Sequence, residues 1–177
     1  MYIAKHFQPH SPDAQANGQV FMPYLEVLRG SKLEHLIKTY KLDELQAEVF
    51  YPQQAICDMQ KQMSEEMGLF SGELVAIGVK SIDSIGFPAE VKTIEDAMGM
   101  LNQIYQMIHH NIPKEEGWIF EKVSDKTLKI FFNSPYEPFA AYGYIYGIAN
   151  RFKPAGTSVS IYMEEEKDLT VYRVEFE

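Results

Sequence analysis

The apolar and polar positions of this chain change period about two-thirds of the way along. Residues 118–123 alternate large apolar with polar side chains, as do residues 128–130, which run on into Phe131 and Phe132. The polar stretch 124–127 lies between them. Residues 157–163 and 169–176 repeat the plan around 164–168. Period-two alternation bounded by turn residues predicts half-buried strands. The second hairpin then carries Glu164, Glu165 and Glu166 in its turn, a solvated acidic tip. Between the hairpins, residues 135–152 lose the alternation and take up a helical period. The pattern predicts an α+β fold with a four-stranded antiparallel sheet, built as hairpin, helix, hairpin, and one long helix across a face.

The front of the chain reads as helices. Residues 8–19 are polar, with two prolines and a glycine, and predict a loop; residues 1–7 fit a strand or a packed tail equally well. Pro23 opens a short helix that Gly30 ends. Ser31 caps a second, with Leu33, Leu36, Ile37 and Tyr40 at helical spacing. Residues 43–50 are ambiguous. Pro52 opens a longer helix to about Met67, with Ile56, Met59, Met63 and Met67 on one stripe and Gly68 as its stop. A further helix covers 71–85, and Gly86-Phe87-Pro88 breaks it. Thr93 with Asp96 makes a capping-box start for a helix to about His110, whose broad apolar face includes Ile94, Leu101, Ile104, Tyr105 and Ile108. The expectation is a single domain over 1–177, mainly helical over 1–115 and ββαββ over 116–177.

Composition narrows the class. The 177 residues are 46% hydrophobic and 23% charged, with a formal net charge of −9. A chain of that length buries a full core. Its acidic balance argues against nucleic acid, whose phosphates recruit Lys and Arg. No apolar run reaches the ~20 residues a membrane span needs, and the first residues lack the apolar core of a signal peptide. A single cysteine, Cys57, fits a reducing cytoplasm.

Little of the chain points to chemistry. Cys57 reads as a small buried hydrophobe, since Asp58 beside it disfavours a thiolate. The adjacent His109 and His110 point to different faces and do not form the i, i+4 pair of a helical metal site. No phosphate loop, nucleophile elbow, zinc spacing or dinucleotide fingerprint is present. No acid, base and nucleophile converge, so a non-catalytic protein is expected. The unusual segment is the helix 135–152. Ala140, Gly143 and Gly147 give it a small-residue face, and Phe139, Tyr142 and Tyr146 an aromatic one. Two glycines inside a helix cost roughly 1 kcal/mol each against alanine. Close approach to a neighbouring element offsets that cost, or the small residues leave room for a ligand that the tyrosines line.

A helical front followed by hairpin, helix and hairpin, at this length, resembles the haem-nitric-oxide-binding (H-NOX) domain and two cofactor-free cousins, the 4-vinyl reductase small-molecule-binding domains and the TRAPP transport-particle subunits. In residues the resemblance rests on Phe132-Asn133-Ser134-Pro135-Tyr136, where the haem family carries Tyr-x-Ser-x-Arg, and on the helix that follows. Only Ser134 is kept. Tyr136 stands at the arginine position and cannot supply a charge for propionates. At the position of the proximal histidine the chain reads Leu101-Asn102-Gln103, with His109 and His110 further on. The resemblance therefore implies a haem-free member, with no cofactor, acting as a small-molecule-binding or signalling accessory domain. Its pocket for a small apolar ligand draws on Leu101, Tyr105, Phe132, Ser134, Tyr136, Phe139, Tyr142, Gly143, Tyr146 and Gly147. The alternatives it implies are a dimeric scaffold subunit of TRAPP type and a true haem-based gas sensor. A homodimer through a helical face is expected, because one sheet cannot cover every apolar stripe.

Overall fold

The computed structural model describes residues 2–68 and 72–177. The alternating segments form strands β4 (Gly117–Ser124), β5 (Thr127–Asn133), β6 (Val159–Glu166) and β7 (Leu169–Phe176). They make one antiparallel sheet in the order β4-β5-β7-β6, so the second strand of each hairpin is central. Leu128, Ile130 and Phe132 of β5 and Tyr172 and Val174 of β7 bury one face into the main core. The acidic residues 164–166 do not form the second turn. They complete β6, and the turn is Lys167-Asp168, both left-handed, with φ of 55° and 63°. Two such residues match the twist of a hairpin, which is why the connection is tighter than the charge pattern suggests. Glu164 and Glu166 lie on the sheet surface, paired with Arg173 at 2.8 Å and Lys129 at 2.7 Å.

Across the buried face runs α7 (Pro138–Phe152), with Pro138 in its first turn. Its other side packs on α4 (Gly72–Ser84), which in turn meets α1 (Met22–Leu28). The glycines of α7 belong to the α4 contact. A Cβ on Gly143 would lie 2.2 Å from the Val75 carbonyl oxygen, and one on Gly78 2.0 Å from that of Ala140. Here the helix backbones touch directly, and alanine does not fit without movement. The start of α4 expected at Ser71 lies outside the described residues.

The remaining helices are α2 (His35–Thr39), α3 (Gln53–Met67), α5 (Ile94–Gly99) and α6 (Leu101–Ile108). Ser31 accepts from the Leu33 amide, but it does not cap the helix: α2 begins only at His35, is five residues long and has no side-chain cap. Thr93 and Asp96 form both arms of the capping box. The single helix expected over 93–110 is instead two, broken at Met100, and it stops at Ile108. His109–His110 is strand β3. It pairs with β1 (Gln15–Asn17), and β1 pairs with β2 (Phe50–Pro52), making a second, three-stranded antiparallel sheet. So the segment 8–19 is not all loop: Ala16 is fully buried in β1. Strands of two and three residues are too short to show a period.

The N-terminal residues form a packed strap. Ala4 donates its amide to Asn133 Oδ1 at 2.8 Å, and Phe7 donates to the Pro135 carbonyl at 2.7 Å. Among the described residues, no helix is long and apolar enough to cross a membrane.

Candidate functional site

α6 is amphipathic over two turns. Leu101 and Tyr105 are buried, while Gln103 and Met107 face outward. His109 follows one turn after Tyr105 and is 3% exposed. Because the chain has passed into a strand, the two histidines alternate. His109 turns inward, and His110 turns out to stack on Phe50 with ring centroids 3.6 Å apart.

The His109 ring lies flat against Tyr105, centroids 4.0 Å apart. Its Nδ1 is 2.8 Å from the Tyr105 carbonyl oxygen and its Nε2 is 2.7 Å from the Tyr136 hydroxyl. A carbonyl only accepts, so Nδ1 carries the proton. Burial brings the imidazole pKa down to about 4, so the ring is neutral near pH 7 and Nε2 accepts from the Tyr136 hydroxyl. Burial likewise drives the Tyr136 hydroxyl well above the usual phenol range, keeping it a donor.

These groups sit at the edge of a cavity of about 300 Å³. Leu101, Ile104, Tyr105 and His109 form one wall. Trp118 of β4 and Phe132 of β5 form another, Ala140, Ala141 and Tyr144 of α7 a third. Tyr24, Gln60 and Ser81 supply polar points, and Gly86, Pro88 and Met107 are among the exposed members of the lining. The volume is at the small end of the range for ligand pockets. Among the described residues of this lining, Glu137 is the one charged side chain, and no Lys or Arg takes part. The Glu137 carboxylate is 3.2 Å from His6 Nε2 and 3.4 Å from Ser64 Oγ.

Beneath the wall of α6 lies a second set of buried polar groups. The Tyr105 hydroxyl donates to Glu116 Oε1 at 2.8 Å and lies 2.9 Å from Ser134 Oγ. Gln53 also donates to Glu116 Oε1, at 2.8 Å, and Tyr2 reaches Oε2 at 3.3 Å. Glu116 is fully buried, and the donors around its carboxylate are neutral. Gly117, at φ 130°, allows this approach: a Cβ there would lie 2.4 Å from Asn102 Oδ1 and 3.0 Å from the Tyr105 ring.

Of the ten residues expected around a pocket, Leu101, Tyr105, Phe132 and Tyr136 line this cavity. Ser134 stands behind it, bonded to Tyr105. The other five do not line it. Gly143 and Gly147 face α4, Gly147 against Ile82. Tyr142 stacks on Tyr146, which is 44% exposed, and Phe139 is half-buried. Sequence reading weighed His109 only as a metal or haem ligand, and did not place it, Trp118, Tyr24 or Gln60 at a pocket. A signal existed for His109: it lies four residues after Tyr105, on the same buried stripe. Cys57 is fully buried, and burial with the charge of Asp58 pushes its thiol up, away from reactivity. Among the described residues no three His, Cys, Asp or Glu side chains gather as a metal site.

No protein-family model matches the sequence, and no curated protein matches it. Solved structures do match in fold. The Fe(II) unliganded H-NOX protein from K. algicida superposes with a TM-score of 0.67 at 12% identity, covering 91% of this chain and 96% of that one. A mutant H-NOX protein from S. oneidensis in the Fe(II) ligation state gives 0.65 at 12% identity, over 91% and 96%. An oxygen-binding H-NOX domain related to soluble guanylate cyclases, as its oxygen complex, gives 0.58 at 15% identity, over 90% and 94%. The chain therefore has an H-NOX-like α+β fold, and the match runs over nearly the whole of both chains.

Proposed function

We propose that this chain is a non-catalytic ligand-binding domain of a sensing or signalling protein, and that its cavity holds a small apolar molecule without haem. The observation that carries this reading is the His109–Tyr136 hydrogen bond. His109 is the histidine of the cavity lining, and the nitrogen it directs away from the backbone is held by a tyrosine hydroxyl. The described lining also lacks any Lys or Arg to pair with two propionates. Both features support the haem-free reading.

One observation favours the competing reading, a haem-based gas sensor. His109 donates Nδ1–H to a backbone carbonyl, the arrangement that orients a metal-bound imidazole. The test separates the two. Protein expressed with supplied haem precursor and dialysed against apo-myoglobin is expected to show no Soret band. A retained band that disappears in His109→Ala would overturn the haem-free reading.

A further inference from the structure

We propose that the cavity selects uncharged, hydrocarbon-rich molecules of about ten heavy atoms and rejects carboxylates and other anions, with entry beside Met107. This rests on the ligand-binding reading above and adds the class of ligand. The size follows from the volume. About 300 Å³ holds about ten groups that each take up ~30 Å³, the share of one water in the liquid.

The selection against anions follows from what the walls can offer. Trp118, Phe132, Ile104 and Ala141 present carbon. Three of the polar points, Gln60, Ser81 and Tyr136, are engaged within the protein. Gln60 donates to the Tyr24 hydroxyl at 2.5 Å and accepts from the Glu137 amide at 2.8 Å. Ser81 donates to the Ile77 carbonyl at 2.8 Å. Tyr136 is held by His109, which is neutral near pH 7. A hydroxyl that accepts one bond retains capacity for another, enough for the oxygen of an alcohol. It supplies no countercharge. A carboxylate moved into this space would lose its water with no Lys or Arg among the described lining residues to replace it, Arg151 behind Phe87 being turned to the carbonyls of Ile82 and Ile85, and the acid Glu137 adds to the penalty.

The rim places the entrance. Met107 is 67% exposed, an unusual position for a large apolar side chain on a cavity lining. Gly86 and Pro88 are exposed lining residues as well. Trp118 is the one tryptophan of the chain and lies on the wall formed by the sheet, so its emission reports occupancy directly.

The experiment is a titration of the intact protein with 1-octanol and, separately, with octanoate at pH 8, following Trp118 fluorescence and confirmed by calorimetry. 1-Octanol is expected to give a saturable shift, and octanoate to bind at least about tenfold more weakly. Met107→Lys, a change at an exposed position, sets a cation at the entrance and is expected to narrow that gap by about threefold through a partly solvated ion pair. Octanoate binding as tightly as 1-octanol would overturn the selection while leaving the ligand-binding reading standing. Saturable binding of neither compound would overturn both.

Discussion

The hydrogen bond between Tyr136 and His109 has consequences for stability that can be measured without any ligand. Removing the hydroxyl by Tyr136→Phe keeps the ring and leaves His109 Nε2 buried without its donor. An orphaned buried acceptor costs about 1–3 kcal/mol, to be read as a lower urea midpoint at unchanged m-value. The same residue gives a pH dependence of definite sign. Its folded pKa, about 4, lies below the ordinary 6.5. Above pH 6.5 the imidazole is neutral both folded and unfolded, and its buried contacts are intact. As pH falls from 6.5 towards 4, the unfolded chain takes up a proton that the folded chain refuses, so stability is lost through that window. The loss approaches roughly 3 kcal/mol once pH is below the folded pKa. Urea melts at about pH 7, 5.5 and 4.5 should show this component in the native sequence and not in His109→Gln. Parallel slopes in the two proteins would show that the ring is not buried as the neutral form. Residue-level reading of the sequence stopped short here, because it placed the His-His pair at a helix end, with the two side chains on different helix faces. The inward turn of His109 depends on β1, a partner more than ninety residues earlier in the chain.

Among the elements, the contact between α4 and α7 explains why α7 tolerates glycines. The approach is backbone to backbone at Gly78 and Gly143, whereas Gly147 meets a side chain: a methyl placed on it would sit 3.1 Å from Ile82 carbons. The two glycines of α7 are therefore not equivalent. Gly143→Ala forces two carbonyl-bearing helices apart and is expected to cost about 1–3 kcal/mol, more than the ~1 kcal/mol that alanine's helix propensity returns. Gly147→Ala should come out close to neutral, since Ile82 can shift. A urea series that finds Gly143→Ala more stable than the native chain would contradict this packing. At this scale much was legible in the sequence. Both long hairpins and α7 announced themselves by period, and the Thr93 capping box by its spacing. What was not legible was short or non-local. β1 and β3 are three and two residues long, and the break at Met100 interrupts a stripe that runs on in sequence from Ile94 to Ile108. The small-residue face of α7 was legible as a face, but which element it meets depended on the tertiary fold.

On the scale of the whole molecule, the apolar stripes of the helical front are covered from within. Ile56, Met59 and Met63 of α3 and Leu74 and Ile77 of α4 are buried in the chain's own core, so the expectation of a homodimer loses the argument from uncovered helix faces. Several exposed large apolar residues, among them Val123, Tyr162 and Met163, lie on the sheet. The N-terminal strap joins the parts of the molecule, which the sequence left undecided for residues 1–7. It crosses the end of β5 and the entry to α7, and its buried anchor is Asn133. That side chain accepts from the Ala4 amide at 2.8 Å and donates to the carbonyls of Tyr2 at 2.9 Å and Glu115 at 2.7 Å. Through Tyr2 and His6 the strap also touches Glu116 and Glu137, two buried acids beside the cavity. Asn133→Ala removes three bonds at once, two to the strap and one to the Glu115 carbonyl. At about 1 kcal/mol per bond the loss is on the order of 3 kcal/mol, which for a chain of this size lowers Tm by roughly 6–12 °C. Amide hydrogen exchange should then quicken at Ala4 and Phe7 before it quickens in β5 or α7, because Asn133 accepts from the Ala4 amide itself and the strap has no strand ladder to hold it. Uniform loss of protection across the sheet would show instead that Asn133 holds the sheet itself and that the strap is incidental to it.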